Sequence, residues 1–225
     1  LREYVMEVQG AKDHWVRAMN DPGDTRWEYT YHRRLAAYGT WMERRGAELV
    51  EAGPFRVDQV ERVLDKLAAQ PFTRQAQMIT WMPQIDLDCY DPPCLQSLWY
   101  RVLEDDGGGW WLNCNVRFRS NDAWGANFMN MFGFVQFTRE VVADAVAEKS
   151  GRPVELGRLN WHADSYHIYG KDIADAEKLL FSRLDSTDFE DRVYSLGDEM
   201  IRELYDEAEE AVRAKIRDYD ATHAR

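Results

Sequence analysis

The clearest fold signal in the chain is the run LQSLWYRVLEDDGGGWWLNCNVRFR, at positions 95–119. Both ends of this run are rich in aromatic and aliphatic residues, as β-strands are. The stretch between them, Glu-Asp-Asp-Gly-Gly-Gly at positions 104–109, has the chemistry of a turn. The run therefore predicts two neighbouring antiparallel strands, joined by a hairpin.

The residues just before this run are Asp91, Pro92, Pro93 and Cys94. Two consecutive prolines restrict the backbone and withhold two amide donors, so a regular strand cannot begin before Cys94. The thiol is thereby presented at a rigid strand start, which suits a nucleophile. The structural alternative is a small residue buried at a turn.

The rest of the chain mixes helical and strand-like patterns. Helical spacing is found in residues 1–20, 26–51, 57–70, 126–149, 172–183 and 196–219, and strand character in residues 75–82 and 154–169. The clearest helix is 57–70, with a stripe of Val60, Val63, Leu64 and Leu67 that ends before Pro71. With 225 residues and no linker or repeat, the sequence predicts one α+β domain over 1–225.

Composition limits the classes of function. Apolar residues make up 45% of the chain and there are nine Trp, which excludes a disordered protein. Asp and Glu number 40 against 28 Lys and Arg, a net charge of −12. This charge argues against nucleic acid or an anionic membrane as the main partner, while a small anion could still bind a local basic pocket. No apolar run reaches membrane-spanning length.

The three cysteines, Cys89, Cys94 and Cys114, lack paired spacing. This favours reduced thiols in the cytoplasm over a disulfide framework. There is no Cys-x-x-Cys pair and no His-rich cluster, so no metal site is predicted. The first residue is Leu rather than Met, and we expect a natural N-terminal segment to be missing before it.

Polar residues gather at two places where a core pattern would not put them. Arg119, Ser120 and Asp122 follow the second strand of the hairpin, and Asn127 and Asn130 begin the long helix after it. Arg with Ser suits a phosphate group, and an Asn amide can read the edge of a nucleobase. The structural alternatives are a surface ion pair and a helix cap.

His167 and Tyr169 stand two residues apart in the last predicted strand, which would place both side chains on one face. Taken alone, each could simply line that strand. Their occurrence together with Arg119 and the Pro-Pro-Cys stretch favours a binding site.

Six segments, in order, resemble the thymidylate synthase and pyrimidine nucleotide hydroxymethylase superfamily. They are Glu3 with Gln9-Gly10, Tyr29-Thr30-Tyr31-His32-Arg33, Asp58-Gln59 with Arg74, Pro92-Pro93-Cys94, Arg119-Ser120 with Asp122 and Asn130, and His167-Ile168-Tyr169. The resemblance covers residues 3–169. It implies a central mixed β-sheet flanked by helices, and a homodimer in which this sheet packs against the partner subunit.

The resemblance also implies a mechanism. Cys94 would add to C6 of a pyrimidine nucleoside monophosphate and make C5 nucleophilic. C5 would then take the methylene group of 5,10-methylenetetrahydrofolate, and loss of tetrahydrofolate would leave an exocyclic methylene. Hydride would convert this group to a methyl, and water would convert it to a hydroxymethyl. No metal is implied.

The roles of the other residues follow from the matched positions. Glu3 would be catalytic with Cys94, moving protons near C5. The remaining implied roles are phosphate binding by Arg119 and Ser120 with Arg74 reaching from the other subunit, pterin binding by Asp122, base recognition by Asn130, and sugar binding by His167 and Tyr169.

Departures from the family pattern bear on the product. Leu95 stands where synthases usually have His beside the nucleophile, and Gln75 replaces a partner-subunit arginine. The end of the chain is a charged helix rather than a short apolar tail that would exclude water. We therefore expect water capture, giving 5-hydroxymethylation of CMP or dCMP, as in nucleoside-antibiotic pathways.

Two alternatives remain at this point. Asn130 by itself points to uracil, so the chain could be a thymidylate synthase that methylates dUMP. A catalytically silent regulator that binds nucleotide or RNA is the other alternative, against which the presence of Cys94 and Glu3 speaks.

Overall fold

The computed structural model describes residues 29–46, 48–184, 186–193, 195 and 197–223. Glu3, Gln9-Gly10 and the helix predicted over 1–20 lie outside these residues. The chain forms two compact units. The first holds the described residues up to Asn121 and Met129–Tyr166, and the second holds Asp122–Phe128 and the described residues from His167 onward. One domain over 1–225 stays a prediction.

Strands and helices alternate irregularly along the chain. The strands are β1 (Trp41–Arg45), β2 (Glu48–Ala52), β3 (Ala76–Ile79), β4 (Leu95–Glu104), β5 (Trp110–Phe118), β6 (Asn121–Asp122), β7 (Glu155–Ala163) and β8 (Tyr166–His167). The α-helices are α1 (Tyr31–Ala36), α2 (Gln59–Ala69), α3 (Pro83–Asp86), α4 (Asn127–Gln136), α5 (Asp144–Ser150), α6 (Ile173–Ala176), α7 (Ser182–Leu184) and α8 (Glu199–His223). Wider π-helical turns are Phe137–Ala143 and Glu177–Phe181, and tight 3₁₀ turns are Gly170–Asp172 and Glu190–Arg192.

The main sheet of the first unit has the strand order β3-β4-β5-β7. Strand β4 pairs antiparallel with both β3 and β5, while β5 and β7 run parallel. The predicted hairpin and the predicted mixed α+β architecture are thus confirmed. At the tip of the β4–β5 hairpin, the Asp105 carboxylate accepts hydrogen bonds from the N–H groups of Gly107 (2.9 Å) and Gly109 (2.8 Å). Gly108 takes a positive φ of 81° there.

One face of this sheet supplies the core of the first unit. Alternate residues of β4 and β5 are buried, among them Leu98, Tyr100, Leu112 and Val116. The predicted stripe of α2 is buried as well and includes Val60 and Leu67. The pattern places the opposite face of β4 and β5 toward solvent, with Trp111 40% exposed.

The helical pattern predicted over 26–51 is wrong after Ala36. Only α1 is helical there, and the chain then forms the antiparallel pair β1–β2. Gly46 (φ 67°) takes a left-handed backbone conformation in the turn between β1 and β2, and Gly39 (φ 90°) takes one in the turn before β1. At Gly39 a Cβ would lie 2.3 Å from the Phe55 ring, so the apolar spacing was outweighed by glycine geometry.

The long helix predicted over 126–149 is present as α4, a π-helical segment and α5 in succession. Its buried residues begin at Gly133, and Phe128 is 75% exposed. The strand character over 154–169 resolves into β7 and the short β8. None of the described helices is long and apolar enough to cross a membrane.

Candidate active site

Cys94 lies directly before β4 in the first unit and is half-buried. Its carbonyl accepts a hydrogen bond from the backbone N–H of Arg119 (2.8 Å). The Arg119 side chain donates through Nε to the carbonyl of Pro93 (3.1 Å) and through Nη2 to that of Pro92 (2.5 Å). Arg119 therefore holds the Pro-Pro-Cys stretch at three successive carbonyl groups.

The start of β4 is irregular, and the irregularity changes the direction of the backbone next to Cys94. The β4–β5 register shifts between Leu95 and Ser97, as in a β-bulge. The amide of Gln96 donates to the Pro93 carbonyl (2.9 Å), and the hydroxyl of Thr80 donates to the Leu95 carbonyl. Leu95 itself is fully buried, so no polar side chain at that position reaches the thiol.

Burial raises the pKa of the Cys94 thiol above its usual value, because a thiolate is poorly solvated there. The positive charge of Arg119 acts in the opposite direction, and the negative charge of Asp91 raises the pKa further. The ionisation of the thiol therefore depends first on its burial and then on the opposing charges of Arg119 and Asp91.

Two tyrosines flank the thiol. The Tyr31 hydroxyl accepts a hydrogen bond from the Leu95 N–H (3.3 Å), and its ring packs near Phe118 and Phe134. Burial raises the pKa of Tyr29, nearby charges on Tyr31, Cys94 and Asp91 raise it further, and a hydrogen bond from the Cys94 backbone lowers it. Burial likewise raises the pKa of Tyr31, so both phenols stay neutral and each hydroxyl can donate a hydrogen bond.

A buried ion pair lies behind this segment. Arg34 of α1 donates through Nη1 and Nη2 to the two carboxylate oxygens of Asp86 (3.1 and 2.7 Å). Arg34 also donates to the Thr80 carbonyl (3.2 Å), and the Thr80 N–H donates to the Gln96 carbonyl (3.2 Å). Arg34 is thus linked through Thr80 to the residues that follow Cys94.

The Asp58-Gln59 segment has a structural role. Asp58 caps α2 by accepting a hydrogen bond from the Glu61 N–H (3.1 Å). The Gln59 amide donates to the carbonyls of Arg34 (2.9 Å) and Ile79 (2.8 Å) and accepts from the Ile79 N–H (2.9 Å). It therefore ties α1 and α2 to β3.

The first unit also holds Arg74, Ser120 and Asn130. Arg74 is exposed, and its carbonyl accepts from the Trp99 indole (3.0 Å). Within the described chain, the side chains of these three residues make no hydrogen bond or ion pair, so their donors are available to a ligand. Gln75 accepts a hydrogen bond from Lys66 (3.1 Å).

In the second unit, Asp122 organises the start of α4. Its Oδ1 accepts hydrogen bonds from the N–H groups of Trp124 and Gly125, both at 3.0 Å. A Cβ on Gly125 would lie 2.5 Å from Oδ2, so glycine keeps that oxygen accessible. Oδ2 can therefore accept hydrogen bonds from the N–H donors of a ligand.

His167 and Tyr169 also lie in the second unit. Their rings meet edge to face with centroids 4.9 Å apart. The expectation that Tyr169 lies within the last strand is wrong, because β8 ends at His167 and Tyr169 precedes the turn Gly170–Asp172, although the two rings still meet. Tyr169 is 52% exposed.

Several residues near the thiol were not singled out from sequence. Tyr29 and Tyr31 were quoted as part of a motif without a role, and Asp91 was seen only as the neighbour of two prolines. The Arg34–Asp86 pair joins residues far apart in sequence, and a single sequence carries no signal of such a pairing. Among the described residues, no group of three His, Cys, Asp or Glu side chains is placed to hold a metal ion.

The chain matches a known protein family over most of its length. The family model described as Thymidylate synthase matches residues 6–221. The chain belongs to the thymidylate synthase family. Two relatives, each named "Putative thymidylate synthase", come from Methanothermobacter marburgensis (32% identical over 152 residues) and Methanopyrus kandleri (32% over 167 residues).

These two matches cover 68% and 72% of this chain. They cover 56% of the M. marburgensis protein and 67% of the M. kandleri protein, so the chain aligns with little more than half of the first relative. A third relative of the same name, from Methanocaldococcus jannaschii, is 31% identical over 146 residues. Thymidylate synthase family membership accounts for the α+β fold.

Proposed function

We propose that this protein transfers a one-carbon unit from 5,10-methylenetetrahydrofolate to C5 of a pyrimidine nucleoside 5′-monophosphate. The observation that carries the proposal is the half-buried Cys94 thiol, held at the start of β4 by Arg119. Family membership supplies the reaction class.

In this reaction the Cys94 sulfur forms a bond to C6, and the electron pair of the C5–C6 double bond moves into the ring. C5 becomes nucleophilic and bonds to the one-carbon unit that the folate brings. Loss of the C5 proton and expulsion of tetrahydrofolate leave an exocyclic methylene group. Water then adds to this carbon while the Cys94 thiolate leaves C6, which restores the C5–C6 double bond. A rigidly placed thiol favours the first step, because little conformational entropy is lost in reaching C6.

The first unit supplies groups that suit the rest of the nucleotide. Arg119 and Ser120 are proposed to bind the 5′-phosphate, and Asn130 to read the base. Support comes from the side-chain donors of Ser120 and Asn130, which have no partner in the described chain. Arg74, exposed on the same unit, is proposed to bind the phosphate held by the other subunit.

Roles for Asp122, His167 and Tyr169 rest on the motif match. Asp122 is proposed to bind the pterin through Oδ2, and the free oxygen beside Gly125 supports this. His167 and Tyr169 are proposed to hydrogen-bond the sugar. Glu3, outside the described residues, is proposed as the group that moves protons near C5.

The proposed product is a 5-hydroxymethyl group on CMP or dCMP. Water must then reach the exocyclic carbon before hydride does. Support comes from the Asp91 carboxylate beside the thiol, which is 71% exposed, so water can approach from that side. Methylation of dUMP is the second candidate, which Asn130 favours, although its amide can also present its oxygen to a cytosine amino group.

A homodimer is also part of the proposal. The solvent-facing side of β4 and β5 carries Trp99, Leu103 and Trp111 beside Arg101 and Arg117. Large aromatic and Arg side chains are typical of protein interfaces. A second copy of this chain would cover this sheet face.

Tritium release tests the reaction class. CMP, dCMP and dUMP labelled at C5 are incubated with the protein and methylenetetrahydrofolate, and Cys94→Ser is the matched control. We expect folate-dependent release that Cys94→Ser abolishes. Mass analysis of the product then separates a hydroxymethyl from a methyl group. If none of the three substrates loses tritium, the enzymatic proposal fails and a nucleotide-binding regulator is favoured.

A further inference from the structure

Asp91 places a negative charge beside the cation expected to bind phosphate. Its Oδ1 lies 3.9 Å from Nη2 of Arg119, and the two side chains are 71% and 34% exposed. Nε and Nη2 of Arg119 are already bonded to the carbonyls of Pro93 and Pro92. Nη1 has no hydrogen bond or ion pair within the described chain, so both of its N–H groups remain for a ligand.

An anion that binds Nη1 therefore meets one positive and one negative charge at nearly the same place. Attraction to Arg119 is offset by repulsion from Asp91, and the repulsion grows with the charge of the ligand. A neutral hydroxyl group feels this repulsion far less.

We propose that Asp91 is a specificity-determining residue that weakens phosphate binding at Arg119. As a consequence, the site prefers a nucleoside 5′-monophosphate over the nucleoside by a smaller factor than it would without Asp91. The identity of the nucleoside rests on the proposed function, while the effect of Asp91 on phosphate does not. Asp91 acts on the ligand through charge and takes no part in the bonds that form or break.

The same charge acts on the thiol. Among the residues that the structure describes, the charged and titratable groups that act on or near Cys94 are Arg119, Asp91, Tyr29 and Tyr31. Of these, Asp91 raises the pKa of Cys94 and Arg119 lowers it. Neutralising Asp91 leaves Arg119 unopposed, so a larger fraction of the thiol is ionised at a given pH.

The test compares Asp91→Asn with the unmodified chain. Cys94 is alkylated with iodoacetamide, a neutral reagent, and the modified peptide is quantified by mass spectrometry. Inorganic phosphate is added in increasing amounts at constant ionic strength, and protection of Cys94 reports phosphate binding. For an exposed charge pair, we expect Asp91→Asn to alkylate about two- to fivefold faster and to bind phosphate about three- to tenfold more tightly.

Asp88→Asn is the matched control, because Asp88 is exposed in the same loop and has the same charge. It should leave both the alkylation rate and phosphate protection unchanged. Arg119→Gln should abolish protection, which ties the phosphate to this residue. Equal effects of Asp91→Asn and Asp88→Asn would overturn the proposal, as would faster alkylation without tighter phosphate binding.

These measurements need neither a pyrimidine nor a folate, so they are independent of tritium release. Absence of tritium release with tighter phosphate binding in Asp91→Asn would overturn the proposed function and leave the role of Asp91 standing. Tritium release together with unchanged phosphate binding in Asp91→Asn would support the proposed function and overturn the role of Asp91. Where release is seen, the ratio of kcat/KM for monophosphate over nucleoside should rise about three- to tenfold in Asp91→Asn.

Discussion

Arg34 and Asp86 form a two-pronged ion pair in the interior of the first unit. The nitrogen–oxygen distances are 3.1 and 2.7 Å, and the side chains are 6% and 1% exposed. The Met82 N–H donates to the same carboxylate (2.6 Å), so Asp86 has several partners. A buried charge of this kind is tolerated only when its hydrogen bonds are satisfied.

Loss of this pair should destabilise the protein strongly. In Arg34→Gln, Asp86 stays buried without its cation, and we expect a loss of about 3–5 kcal/mol in the free energy of unfolding. Urea denaturation measures it. Lys149→Gln is the control, because Lys149 pairs with Asp65 at the surface (2.6 Å) and its loss should leave the midpoint unchanged. Equal midpoints for the two variants would contradict the prediction.

The charge of Arg119 should lower the pKa of the Cys94 thiol and so partly offset the effect of burial. Because Arg119 lowers the pKa of the thiol, Arg119→Gln should raise that pKa and move the pH profile of alkylation to higher pH. Arg119→Lys keeps the charge while losing the bonds to two carbonyls, so its profile should move less. The iodoacetamide rate as a function of pH is the measurement. Identical profiles for the two variants would show that anchoring, rather than charge, controls the thiol.

Cys114 should be inert in the folded protein. Burial raises the pKa of its thiol to about 12, and hydrogen bonds with Tyr100 and Thr138 act in the opposite direction. At pH 8, iodoacetamide should therefore modify Cys94 while Cys114 stays unmodified. Peptide mass spectrometry, with urea-unfolded protein as the reference, checks this. Native labelling of Cys114 as fast as Cys94 would refute the buried position.

A charge placed on the open sheet face should weaken self-association. Trp111 is 40% exposed on β5, opposite Leu103 on β4. If this face is the dimer interface, Trp111→Arg should raise the dimer dissociation constant about 30-fold or more. Sedimentation velocity over a concentration series measures it. Leu87→Arg is the control, because Leu87 is 73% exposed and lies outside the sheet, and it should leave the dimer dissociation constant unchanged. If the unmodified chain is a monomer, the dimer proposal is wrong.

Local patterns predicted much of the sheet and its helices. The β4–β5 hairpin follows from aromatic strands and a Gly-rich turn, and the α2 stripe follows from helical spacing. Where local signals conflict, prediction failed: the apolar spacing of residues 26–51 suggested a helix, while the chain turns at Gly39 and forms the β1–β2 hairpin around Gly46. The prediction that Tyr169 lies on a strand failed for a different reason, because residue spacing alone does not locate the end of a strand.

The sequence by itself determined that a thiol follows two prolines at the start of a strand, and which segments resemble a family that uses such a thiol. The chemistry of proline and the order of the motifs are local properties, so they can be read along the chain. Only the tertiary structure decided that Arg119 holds the carbonyls of residues 92–94, and that Asp91 opposes its charge. Those contacts join residues distant in sequence, and a Coulomb interaction depends on distance in space rather than on position in the chain.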